Sequence, residues 1–262
     1  MMNDESFELS FIIHHSSFII QKIMGRAFEY RKERKFKRWG AMAKTFTKIG
    51  KEIAIAVKEG GGDPAYNSRL RLAIQNGRKA NMPKANVDSA IKNATSKDAE
   101  DYAEVVYEGY GPAGIAVLVE TATNNPTRTV ANVRLIFNRT GGSLGTSGSV
   151  DYLFIRKGVF RIKKENLPNI DDLELEMIDA GLDEIKTEED EYVITCNFTD
   201  FGLMQKFLEE KKIDIEEAGL ERIPTMTKKL SDEESEAFIK FLDRMEDDED
   251  VVNVFHSMDM SE

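Results

Sequence analysis

The chain has 262 residues, 41% hydrophobic and 32% charged, with a formal net charge of -11. That composition suits a folded globular protein with room for two or three domains, and it excludes a disordered chain. One cysteine, Cys196, and three histidines exclude an internal disulfide, make a reducing compartment the default and leave little material for zinc.

Residues 1–23 start acidic, and their apolar stretch is split by His14-His15-Ser16-Ser17, unlike a secretory signal. No apolar run reaches the length of a membrane span. Met24 leads directly into a basic block, so 1–23 reads as a gene-model extension or a disordered leader. The segment 24–97 carries 18 Lys or Arg against 6 Asp or Glu, a net of +12, whereas 98–262 carries 17 against 38, a net of -21. Such a split predicts one domain that faces a polyanion and others repelled from it.

Gly25 to Trp39 has too little apolar material for a core and reads as an arm. Lys44–Glu59 has helical period, with Phe46, Ile49, Ile53 and Val57 on one face. Gly60-Gly61-Gly62 ends it. A second helix starts with Asn67 or Ser68 as cap and buries Leu70, Ala73 and Ile74. A third begins behind Pro83 and carries Val87, Ala90 and Ile91. Together 24–97 predicts a basic three-helix bundle with a basic arm.

Beyond Asp98 the pattern becomes mixed α/β. Strands are expected at 104–108, 115–121, 150–155, 159–162, 182–186, 192–197, 213–221 and 251–258. Helices are expected at 126–138, 171–180, 201–211 and, behind the capping box of Ser231 and Glu234, to Met245. This order predicts an α+β protein with two ferredoxin-like α/β domains, the second inserted in the first. The expected boundaries are 98–164 plus 231–262 for the outer domain and 165–230 for the inserted one.

Candidate binding residues follow from charge. Arg31, Lys32, Arg34, Lys35, Lys37 and Arg38 supply cations for a phosphate backbone, and Phe36 and Trp39 offer faces for base stacking. Lys44, Lys48 and Lys51 continue the basic surface, and Arg69, Arg71, Arg78, Lys79 and Lys84 extend it along the second and third helices. The glycine-rich 141–149 lacks the Gly-Lys-Ser/Thr of a P-loop and reads as a flexible turn whose amides could touch RNA phosphate. The segment 123–129 reads as a helix cap. Glu188–Glu191 and Glu246–Asp250 read as solvated turns, without the spacing of a calcium loop. No nucleophile with its base is visible, so no catalytic residue, metal or cofactor is expected. Nucleic acid is the expected partner, with no membrane and no small-molecule substrate.

Several long motifs add to this reading. Phe46-Thr47-Lys48, GGGDPAYNSRLRLAIQNGRKANMPKANVDSAIKNA (60–94), YEGYGPAGIAVLVETATNNPTRTVANVR (107–134) and GGSLGTSGSVDYLF (141–154) closely resemble the YebC/PmpR family of probable transcriptional regulators. The resemblance covers roughly 24–262 and implies an N-terminal helical domain with two α/β domains. It also implies a cytoplasmic nucleic-acid-associated regulator. Bacterial members are described as DNA-binding transcriptional regulators, and relatives that include the mitochondrial translational activator of cytochrome oxidase associate with ribosomes. The family's usual His-Ser-Lys-Trp start is here MGRAFEYRKERKFKRW, so a role tied to that histidine does not transfer. Three functions stand side by side: a DNA-binding regulator, an RNA- or ribosome-binding translation factor, and an enzyme using the cleft between the α/β domains, the weakest of the three.

Overall fold

A computed structural model describes residues 42–96, 101–167 and 169–259. Helix α1 (Met42–Gly60), α2 (Ser68–Lys79) and α3 (Lys84–Ala94) form the helical domain. The apolar faces read from periodicity meet in one core, where Ile53 and Leu70 are fully buried beside Ile49, Val57, Ala73 and Val87. Burying one such side chain stabilises the fold by roughly 1.5–3 kcal/mol. Asn67 caps α2, its side chain accepting from the Leu70 amide at 2.9 Å.

The outer α/β unit contains β1 (Ala103–Tyr110), β2 (Ala116–Thr123), α4 (Pro126–Arg139) and the short β3 (Ser143–Leu144). It is completed, after the insertion, by α7 (Asp232–Glu246) and β8 (Val251–His256). Its sheet order is β3-β1-β2-β8, with every pairing antiparallel. Phe137 of α4 and Phe238 and Phe241 of α7 fill the core on one face, against Val117 and Val119. The unit opens with a β1–β2 hairpin before its first helix, so the β-α-β-β-α-β order of the expected ferredoxin-like domain does not hold here.

The inserted unit runs β4 (Phe154–Lys163), α5 (Ile170–Asp179), β5 (Leu182–Thr187), β6 (Glu191–Asn197), α6 (Phe201–Glu210) and β7 (Glu217–Pro224). Its antiparallel sheet has the order β5-β6-β4-β7. Because β4 pairs with β6 and β7, the insertion begins near Phe154, not at 165. The pattern of 150–162 predicts two strands with Gly158 between them. Instead Gly158 lies inside one strand, opposite Cys196 and Leu220. A Cβ there would sit 2.6 Å from Cys196 Sγ and 2.8 Å from the Phe201 ring, so this glycine serves close packing and not a turn. The last strand of the unit also starts later than the expected 213. Lys212 adopts φ 58, and the chain then sends Ile215 into the core before pairing begins at Glu217 with Arg161.

The second face of the outer sheet meets the inserted unit through Leu118, Val150 and Phe154. Arg222 of β7 clamps the same junction, with Nε 2.8 Å from Glu120 and Nη1 2.7 Å from Asp151. The helical domain touches both units: α1 lies on the outer one, while Leu72 of α2 packs against the core of the inserted one. No helix among the described residues is long and apolar enough to cross a membrane.

Candidate nucleic-acid interface

The arm residues Arg31, Lys32, Arg34, Lys35, Phe36, Lys37, Arg38 and Trp39 lie outside the described residues. The remaining candidates fall into three groups, separated by what their cationic heads touch.

Lys44, Lys48 and Lys51 share one stripe of α1, and that stripe faces the end of α7. Lys44 Nζ is 3.2 Å from Asp247 Oδ1, and Lys48 donates to the Glu246 carbonyl at 2.7 Å. Lys51 donates to the Glu249 carbonyl at 2.9 Å and to Asp250 Oδ1 at 2.7 Å. A helix C-terminus exposes unpaired carbonyls and partial negative charge, which three ammonium groups neutralise here. Lys51 is buried, so its cation is not available to a polyanion, against expectation. The turn 246–250 is solvated only in part: Asp247 and Glu249 are exposed, whereas Asp250 is 3% exposed.

Asp250 explains most of 123–129. Asn125 caps α4 through the Arg128 amide, as expected of that segment. Arg128 Nη2 also reaches Asp250 Oδ2 at 2.8 Å, and the hydroxyls of Thr129 and Thr123 lie 2.8 and 3.3 Å from the same oxygen. Burial pushes the Asp250 carboxyl up, but the hydrogen bonds from Lys51, Arg128 and Thr129 outweigh it and hold the group at about 2. The motif is thus a socket that locks α1 to the outer sheet.

Arg69, Arg71 and Lys79 are also engaged within the chain. Arg69 pairs with Glu59 at 2.6 Å and with Glu104. Arg71 Nη1 donates to the Pro64 and Ala65 carbonyls at 2.7 and 3.0 Å. Lys79 donates to the Ile215 carbonyl of the inserted unit. Arg78 and Lys84 form the last group, exposed on either side of the tight α2–α3 turn. In that turn Asn81 takes φ 58 and the Met82 amide donates to the Gly77 carbonyl at 2.8 Å.

Charge clusters alone do not point to two further exposed residues. Lys92 stands on the outer face of α3, a helix in which Val87 is the one fully buried residue. Tyr66 projects from the α1–α2 loop and is 89% exposed. An aromatic inside a turn-rich segment, with no apolar stripe to join, is the signal in the sequence that marks it.

The glycine-rich segment 141–149 is not a free cradle of amides. The Gly142 and Gly145 amides donate to the Phe137 and Glu108 carbonyls. The Gly148 amide, with those of Val150 and Asp151 just beyond the segment, donates to the buried Glu108 carboxylate, at 2.7, 2.8 and 2.9 Å. Burial pushes that carboxyl up, yet the three amides, with Arg222 nearby, leave it below the usual carboxylate range. The anion this loop binds belongs to β1, so those amides do not face RNA phosphate. Among the described residues no group of three or more His, Cys, Asp or Glu is placed to hold a metal ion.

Comparison with known proteins agrees with this architecture. The model of the "TACO1/YebC protein N-terminal domain" matches residues 26–97, and that of the "TACO1/YebC second and third domain" matches 102–258. A "Probable transcriptional regulatory protein" of Parabacteroides distasonis is 56% identical over 235 residues, covering 90% of this chain and 97% of its own. A protein of the same description from Porphyromonas gingivalis is likewise 56% identical, with the same coverage. Among solved structures, the conserved hypothetical protein Aq1575 of Aquifex aeolicus superposes with a TM-score of 0.74 at 35% identity. That match covers 83% of this chain and 90% of that one. With both family models matched and relatives above half identity over nearly their whole length, the chain belongs to the TACO1/YebC family.

Proposed function

We propose that this chain is a nucleic-acid-binding regulator of gene expression, not an enzyme, that engages its target through 24–97 in the cytoplasm. One observation carries the reading: a net of +12 over 24–97 set against -21 over 98–262. A polyanion attracted to the first segment is repelled by the other two units, which orients the protein on its target. Arg78, Lys84 and Lys92 support it from the described part of that segment, since their cations are exposed and lie outside the internal ion pairs. Lys44 and Lys48 contribute to the positive field from beside the α7 terminus.

DNA in a transcriptional role is the first reading, supported by the description carried by the Parabacteroides and Porphyromonas relatives. An RNA- or ribosome-binding translation factor is the second, favoured by Tyr66, whose open ring suits unpaired bases. The α/β units serve as scaffold in either case. The strand order β5-β6-β4-β7, with two helices in β-α-β-β-α-β sequence, supports reading the inserted one as ferredoxin-like.

The test is substitution of Arg31, Lys32, Arg34 and Lys35 by Ala in the full chain, with binding measured across a salt series. Affinity for nucleic acid should fall, and the slope of log K against log salt should flatten by roughly 0.7–0.9 for each phosphate that is no longer neutralised. Unchanged affinity and slope would remove the arm from the interface. Crosslinking in cells followed by sequencing separates the two readings: promoter fragments favour DNA, ribosomal RNA favours the second.

A further inference from the structure

We propose that Tyr66 is a stacking platform for an unpaired nucleobase, held out by a loop built to present it. The inference rests on the nucleic-acid reading above and deepens it by assigning a base-binding role to one residue among those described.

The loop between α1 and α2 is fixed from three sides. Asn67, 6% exposed, donates through Nδ2 to the Ala56 carbonyl at 2.7 Å and to the Gly61 carbonyl at 2.9 Å. Asp63 accepts from the Ala65 amide at 2.9 Å, and its carbonyl accepts from the Tyr66 amide at 3.2 Å. Arg71 reaches back from α2 to hold the Pro64 and Ala65 carbonyls. The glycines are required by this packing. Gly61 adopts φ +82, and a Cβ on Gly60 would lie 2.7 Å from the Asn67 amide nitrogen. So many bonds determine the backbone at 63–67, yet the ring it carries stands in solvent: Tyr66 is 89% exposed.

A rigid loop around an exposed ring is preorganised for a ligand, because ordering it on binding costs little. The surroundings decide what kind. A protein-binding aromatic usually sits in an apolar patch that excludes water. Among the described side chains of 44–96 Tyr66 has no such patch, since no other large apolar one is exposed. Its domain is basic, with ten Lys or Arg against four acids over 42–96. A lone aromatic face on a positively charged domain matches a base attached to a phosphate backbone, and stacking accepts any base because every base has a π-face.

The experiment compares the full chain with Tyr66→Ala, Tyr66→Phe and the four-residue arm variant. The probes are a single-stranded RNA of about 20 nucleotides, single-stranded DNA of the same sequence, and the RNA duplex. Tyr66→Ala should weaken single-strand binding by roughly tenfold, with an unchanged salt slope and unchanged duplex binding. Tyr66→Phe should stay within about twofold, since it keeps the ring. A loss confined to RNA or to DNA also supports the proposal and identifies the source of the base. Wild-type affinity in Tyr66→Ala, while the arm variant loses binding, overturns the platform and leaves the nucleic-acid reading standing. An equal loss on duplex and single strands overturns stacking on unpaired bases. If the wild-type chain binds none of the three probes, the proposal fails, and if it does not bind the DNA duplex either, the reading beneath it fails as well.

Discussion

The two halves of α1 rest on the outer α/β unit in opposite electrostatic conditions. Towards its start, Lys44, Lys48 and Lys51 meet the carbonyls and carboxylates of 246–250, and Asp250 receives every donor it needs. One residue past Lys51, Glu52 lies near Glu104 and Glu120 of β1 and β2, and their negative charge disfavours its own. Burial first, then the repulsion of those two glutamates, outweigh Arg69 and Lys48 and push it from the ordinary 4.5 to about 7. The same helix therefore carries one acid-base contact that locks the domains and one that opposes the lock. Net charge is no guide to either; what matters is whether each buried group finds a partner of opposite sign.

The largest expected effect comes from breaking the satisfied side. Asp250→Ala leaves Lys51 buried without a counter-charge and should cost about 3–5 kcal/mol, measured by urea unfolding at pH 7. A loss below about 1 kcal/mol would mean that water already reaches the site. Acid should have the same effect in the wild type. The folded value near 2 lies below the ordinary 3.8, so this stabilisation is complete above about pH 4 and disappears as pH falls from there through 2.

A second satisfied carboxylate, Glu108, tests whether partners alone explain the contrast. It is held by the amides of Gly148, Val150 and Asp151, at and just beyond the end of the glycine-rich segment. Glu108→Gln turns an acceptor-only group into one that places an N–H against these donors, and should cost about 2 kcal/mol. Hydrogen exchange at the Gly148 and Val150 amides should accelerate; unchanged protection would show that the loop holds its shape without the charge.

Breaking the unsatisfied side should act in the other direction. Glu52 in the unfolded chain ionises near 4.5 but in the folded chain only near 7, so stability is lost as pH rises through that interval. Glu52→Gln should stabilise the protein at pH 8 by about 1 kcal/mol and leave it unchanged at pH 4, seen as a pH-dependent rise in Tm. A rise of the same size at both pH values would assign the effect to packing.

Much of the fold is legible in local chemistry. The caps at Asn67, Asn125 and Ser231, and the apolar faces of Phe46–Val57, depend on residues within a few positions of each other, and they place helices where they occur. The β1–β2 hairpin is legible as strands but not as the start of a different connectivity. Gly158 is ambiguous because a glycine that turns the chain and one that admits Cys196 and Phe201 look alike in sequence. The candidate surface is legible as a charge excess, which the structure then divides. Arg78 and Lys84 face solvent. Lys51 and Arg69 are instead engaged by acids that lie 199 and 35 positions away along the chain.

By itself the sequence determined which segments are helical, that a basic domain precedes two acidic ones, and, through its long motifs, the family. Those features follow from hydrophobic period, capping and composition, all of which act over short spans of chain. Only the tertiary structure decided which cations remain for a polyanion, that the motif 123–129 and the glycine-rich segment bind carboxylates of this same chain, and that Tyr66 is held in the open. The physical reason is common to all three. A charged or polar group is assigned by its partner, and these partners are brought together by packing between distant segments rather than by neighbourhood in the chain.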